Sequence, residues 1–136
     1  MAFEALFQPI QIGKTTIRNR VVSTAHAEVY ATDGGMTTER YVKYYEEKAK
    51  GGCGLCICGG SSIVSIDSPQ AWWSSVNLST DRIIPHFQNL ADAVHKHGGK
   101  IMIQITHMGR RSRWDGFNWS TLLSPSGIRE PVHRST

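Results

Sequence analysis

Leu55-Cys56-Ile57-Cys58-Gly59-Gly60-Ser61-Ser62 is the stretch that decides how this chain folds. Four apolar residues are too few for a helix, and with nothing polar among them they predict a strand buried on both faces. The run then breaks into glycine and serine, the residues of a turn or loop. Two other stretches repeat the pattern. Val21-Val22 runs into Ser23-Thr24-Ala25-His26, and Ile101-Met102-Ile103-Gln104-Ile105 runs into Thr106-His107-Met108-Gly109-Arg110. Helix-like segments separate the three, which predicts parallel strands with their polar ends in register. Ligands of α/β proteins sit at such carboxyl ends.

Working outward, residues 6–13 and 16–18 read as two short strands around a turn, and 19–24 as the first core strand. A loop over 28–36 contains Asp33-Gly34-Gly35. Thr37 or Thr38 can cap a helix with Glu39 in its first turn, Tyr41, Val42, Tyr45 and Ala49 on its apolar face, and Glu46 and Lys50 as an i, i+4 pair. Gly51-Gly52 ends that helix. A long serine-rich loop over 61–80 carries Trp72-Trp73, and loops of that length are commonly functional. Asp81 is expected to cap a second helix, with Pro85 in its first turn and Ile84, Phe87, Leu90, Ala91 and Val94 on one face. Gly98-Gly99 stops it before the third strand. The order is hairpin, then β-α-β-α-β. Right-handed crossovers make the three strands adjacent and parallel. Two helices cover only one face of such a sheet, so further strands are expected to belong with this chain.

The chain has 136 residues and a formal charge of +4. The one dense basic stretch, Arg110-Arg111-Ser112-Arg113, reads as a solvated loop, so no nucleic-acid partner is expected. No apolar run reaches the roughly 20 residues of a membrane span, and the first residues lack the basic start of a signal peptide. Cys53, Cys56 and Cys58 are odd in number and crowded, which reads as buried apolar side chains in a reducing, cytoplasmic setting rather than as a disulfide framework or a metal site.

Few residues at the strand ends could carry chemistry. Gln104 offers donors and acceptors that suit the edge of a heteroaromatic ring, or it is a buried glutamine satisfied by backbone. Gly59-Gly60 either lets a flat ligand approach the backbone or simply makes a tight turn. His26 and His107 both follow strands and could face one rim. His86, His95 and His97 read as helix-surface residues. Trp72 and Trp73 either line a substrate entrance, where an indole face can attract a cation, or pack the loop onto the fold.

Four motifs in order, Leu6-Phe7-x-Pro9, Arg18-Asn19-Arg20, Lys48-Ala49-x-Gly51-Gly52-x-Gly54-Leu55 and Gln104-Ile-Thr-His107-Met-Gly109-Arg110, resemble the start of the old yellow enzyme family of FMN-dependent oxidoreductases. Ser23-Thr24-Ala25-His26, Gly59-Gly60-Ser61-Ser62 and Arg129-Glu130-Pro131-x-His133-Arg134 are similar to its amine-oxidising branch, the N-methylproline demethylases and dimethylglycine-catabolism oxidoreductases. The resemblance implies that residues 1–136 are the N-terminal segment of an FMN-binding (β/α)₈ barrel, incomplete in this chain. It implies non-covalent FMN beside Thr24, Ala25, His26 and Ala27, with the Gly60 backbone near the flavin O4/N5 edge and Gln104 on the pyrimidine edge. His107 and Arg110 lie in the next shell. The implied reaction is oxidative N-demethylation of an N-methylated amino acid or amine, with an electron acceptor or NAD(P)H as second partner. Alternatives are an ene- or dienoyl reductase of the same superfamily, or a non-catalytic partial barrel that self-associates through its strand edges. Catalytic acids and bases, the phosphate site, and any iron–sulfur cluster or FAD/NAD(P) segment belong to later parts of such proteins.

A third of a barrel lacks the later loops that hold the FMN phosphate. The 136-residue polypeptide, expressed alone, is expected to purify colourless, and flavin absorbance co-eluting with it would contradict this reading.

Overall fold

The structure, a computed structural model, describes residues 3–60, 62–65, 74–109 and 124–128. Ile10–Ile12 (β1) and Thr15–Ile17 (β2) form the expected hairpin, with Ile10 opposite Ile17. Leu6 and Phe7 do not extend it. Glu4–Phe7 is a single 3-10 turn, and the Leu6 carbonyl accepts the Arg20 N–H at 2.9 Å.

Val22–Ser23 (β3), Leu55–Cys58 (β4) and Lys100–Ile103 (β5) make a parallel sheet in the order β3-β4-β5. Register is continuous, with Ser23 beside Cys56 and Cys56 beside Ile101. β3 is much shorter than residues 19–24. Asn19 is diverted into the fold instead, its amide donating to the Gly52 carbonyl at 2.8 Å and its side-chain oxygen accepting from the Val21 N–H at 3.1 Å.

Glu39–Lys50 (α1) joins β3 to β4, and Ile84–His95 (α2) joins β4 to β5. Thr38 is the cap of α1: its side-chain oxygen accepts the Tyr41 N–H at 3.2 Å, a bond worth about 1 kcal/mol to a helix. Tyr41, Tyr45 and Ala49 are buried as their spacing predicts. The expected Glu46–Lys50 pair does not form. Glu46 is buried beside α2, where it takes Lys43 at 2.6 Å and His97 Nε2 at 3.5 Å, while Lys50 reaches Glu47 at 3.3 Å. The second helix also starts differently. Thr80, not Asp81, caps a 3-10 turn over Asp81–Ile83, and Pro85 then sits in the first turn of α2. That extra turn rotates Ile83 into the core and leaves Ile84 exposed. His86 is not purely a surface residue either, since its Nδ1 lies 3.3 Å from the Thr37 carbonyl.

Both helices pack on one face of the sheet. Cys56 and Cys58 join Tyr41, Tyr45, Leu90 and Val94 in the core between the layers, as the alternation along β4 requires. The opposite face carries Val22 and Met102, 45% and 53% exposed, with no helix over it among the described residues. All three cysteines are buried free thiols. No described helix is long and apolar enough to cross a membrane.

Arg18 ties the amino ends of the strands to the carboxyl ends of the helices. Its guanidinium donates to the carbonyls of Ala49 at 2.6 Å, Cys53 at 3.0 Å and His97 at 2.5 Å. These groups sit at or just past the ends of α1 and α2, where backbone carbonyls lack partners and a cation is favoured. Arg18→Ala is expected to cost about 2–3 kcal/mol, read as a lowered midpoint in urea unfolding of the protein. Lys at this position restores little, because one ammonium cannot span three carbonyls.

Candidate functional site

The carboxyl ends of β3, β4 and β5 lie on one edge of the sheet and are bonded to one another beyond the strands. The Gly60 N–H donates to the His26 carbonyl at 3.1 Å, and the Gln104 N–H donates to the Cys58 carbonyl at 2.9 Å. Thr106 N–H donates to the Ser62 carbonyl at 2.8 Å, and Val64 N–H to the Thr106 carbonyl at 3.1 Å. Thr24, His26, Gly60 and Gln104 therefore share one rim. Thr24, His26, Ala27 and Gln104 are exposed, and Ala25 and Gly60 are half-buried.

Two glycines allow this closeness. Gly59 has φ 78°, which favours glycine, and a Cβ there would lie 2.2 Å from the Ser62 hydroxyl oxygen. At Gly60 a Cβ would lie 2.4 Å from the His26 carbonyl carbon. The rim is thus bare backbone where the second strand ends, flanked by exposed polar side chains from the first and third.

The His26 ring is not presented to the rim as its position after a strand suggests. Its Nε2 meets the Tyr44 hydroxyl of α1 at 2.7 Å, and its Nδ1 lies 3.1 Å from the Thr24 carbonyl. A carbonyl only accepts, so Nδ1 carries the proton and, in the neutral ring, Nε2 accepts from Tyr44. Lys48 sits 4.1 Å above the Tyr44 ring and donates to the Ser23 hydroxyl at 2.9 Å. His107 is exposed, with Nδ1 accepting the Gly109 N–H at 3.1 Å, which puts the proton of its neutral ring on Nε2. Arg110, Trp72 and Trp73 lie outside the described residues.

Burial pushes the Cys58 thiol up to about 12, and Cys56 rises for the same reason. Both stay protonated at neutral pH and offer no thiolate nucleophile. Sequence reasoning missed Tyr44 and Lys48, because both fall outside the apolar stripe of α1, Tyr44 reaching His26 in the loop after β3 and Lys48 reaching Ser23 at the end of that strand. Val29 was missed too. Its φ of 57° is strained for a β-branched residue and sits in that same loop.

A parallel βαβαβ unit with a shared polar rim at its strand ends opens both doubly wound sheets and (β/α)₈ barrels, and the solved structures that this chain resembles make it the opening of a (β/α)₈ barrel, incomplete in this chain, in which that rim is the ligand-binding face. Comparison with known proteins sharpens the class. The model of the NADH:flavin oxidoreductase / NADH oxidase family matches residues 5–136, and the chain belongs to that family. It is 93% identical to the N,N-dimethylglycine/sarcosine dehydrogenase of Chromohalobacter salexigens over 136 residues, all of this chain and 20% of that protein. It is 43% identical to a probable N-methylproline demethylase of Rhizobium meliloti over 135 residues, 99% of the chain and 20% of that protein. The old yellow enzyme of Trypanosoma cruzi superposes with a TM-score of 0.74 at 30% identity, covering 82% of this chain and 29% of that one. The chain thus spans about a fifth of the length of these curated relatives.

Gly60→Ala is expected to force the two rim segments apart and cost about 1–3 kcal/mol. Gly34→Ala, whose Cβ meets nothing nearer than 3.9 Å, is the control and should stay within about 0.5 kcal/mol. Equal melting temperatures for the two variants would show that the contact at Gly60 is not constraining.

Proposed function

We propose that this chain is the first part of an FMN-dependent oxidoreductase that removes methyl groups from N-methylated amino acids such as dimethylglycine, sarcosine or N-methylproline. The observation that carries this reading is the 93% identity to an N,N-dimethylglycine/sarcosine dehydrogenase along the whole chain. The rim fits one edge of a flat ring. A glycine whose Cβ has no room keeps the middle of the rim flat, and an exposed carboxamide at Gln104 can match alternating donors and acceptors. Residues 24–27 would flank the ring, the Gly60 backbone would approach its O4/N5 edge, and Gln104 would hold its pyrimidine edge.

Bound FMN supplies a two-electron acceptor for hydride from an N-methyl carbon, and the resulting iminium adds water and releases formaldehyde with the demethylated amine. The residues of this chain orient the ring rather than transfer protons. Tyr44 and the Thr24 carbonyl fix the His26 imidazole, and through it the backbone that Gly60 bonds to. His107, whose Nδ1 is occupied by the Gly109 N–H, would offer its Nε2–H to a polar group next to the ring.

The test uses the intact protein that carries this chain. Anaerobic addition of dimethylglycine, sarcosine or N-methylproline should bleach the flavin absorbance and release one formaldehyde per methyl group lost. Flavin that stays oxidised with all three amines, yet is bleached by NAD(P)H and reoxidised by an activated alkene, would replace demethylation with alkene reduction.

A further inference from the structure

Behind the Gly59 turn, three buried oxygens make no direct hydrogen bond of good geometry: Glu28 Oε1, the Tyr41 hydroxyl and Ser62 Oγ, although the Tyr41 hydroxyl lies near enough to Glu28 and the Gly59 backbone to interact with both. Tyr41 is 1% exposed and Ser62 is fully buried. An unpaired buried polar atom costs about 1–3 kcal/mol, and native chains leave very few. These three do not lie apart. Glu28, Tyr41 and Ser62 all line one narrow cleft, together with Ala27, Gly59 and Ser75. Its volume of about 10 Å³ is close to the least that admits one water molecule.

We propose that this cleft holds a single structural water bonded to Glu28, Tyr41 and Ser62. The donor and acceptor count closes. The water donates to the Glu28 carboxylate and accepts from the two hydroxyls, the three bonds a buried water commonly makes. A metal ion fits less well, because two of the three ligands are neutral hydroxyls and the space is that of one water. An apolar side chain would leave all three oxygens unpaired.

The three partners come from three different segments. Glu28 belongs to the loop after β3, Tyr41 to the first turn of α1, and Ser62 to the loop after β4. The water therefore fastens together the two loops that build the rim and anchors them on the helix behind. None of this depends on which substrate the protein takes.

A crystal structure of the intact protein near 1.5 Å resolution should show one isolated density peak at roughly 2.6–3.2 Å from all three oxygens. An empty cleft, a side chain from elsewhere filling it, or a peak with contacts of roughly 2.0–2.4 Å typical of a metal ion would overturn the proposal. Solution water-¹⁷O relaxation dispersion offers a second reading. Tyr41→Phe combined with Ser62→Ala should lose about one long-lived internal water relative to the parent, and an unchanged count would equally overturn it. Should the double variant fail to fold, the crystal measurement on the parent protein decides alone.

Discussion

Arg18 donates to carbonyls at or beyond the ends of both helices, and the rest of the fold is hung from that contact. A parallel sheet gives its strands no hairpins to set their stagger, so the level of each strand depends on where its crossover helix ends. One rigid, planar cation that reads the ends of α1 and α2 together fixes both crossovers at once. Asn19, next in sequence, holds the Gly52 carbonyl and the Val21 N–H, which pins the entry to β3 against the exit from α1. With the amino ends of the strands locked, their carboxyl ends fall level, and the rim becomes one surface instead of three separate loops.

Much of this was legible in the residues. The short apolar run at 55–58 could only be an inner strand, the Tyr41, Tyr45 and Ala49 spacing could only be a buried helical stripe, and the glycine pairs marked where each helix stops. What stayed hidden were choices among near-equivalent local partners. Thr80 and Asp81 are both good capping residues, and the one that wins is decided by which of Ile83 and Ile84 the core can accept. Glu46 had Lys50 one turn away, yet tertiary packing offered it Lys43 and His97. The shortness of β3 was invisible because the Gly52 carbonyl that draws Asn19 out of the strand lies thirty-three residues away in sequence.

The site divides in the same way. Thr24, Gly60 and Gln104 announced themselves by following apolar runs, since strand ends in a parallel sheet converge by topology alone. The orientation of His26 was not encoded locally. It follows from Tyr44, eighteen residues on, and from Lys48 lying over that ring. A polar residue after a strand can point to either layer, and only the helix packed behind it settles which. The rim is therefore supported from the outer layer, by side chains that a search for chemistry would pass over.

The sulfurs of β4 have a bearing on durability. Cys56 and Cys58 are packed beneath the helices, and the loss of solvation holds them in the protonated form. Peroxide attacks the ionised sulfur, not the protonated one, so oxidative damage to this strand requires the layers to separate first. Small, polarisable side chains thus fill the tight space between sheet and helix without bringing the chemical fragility that cysteine carries at a protein surface.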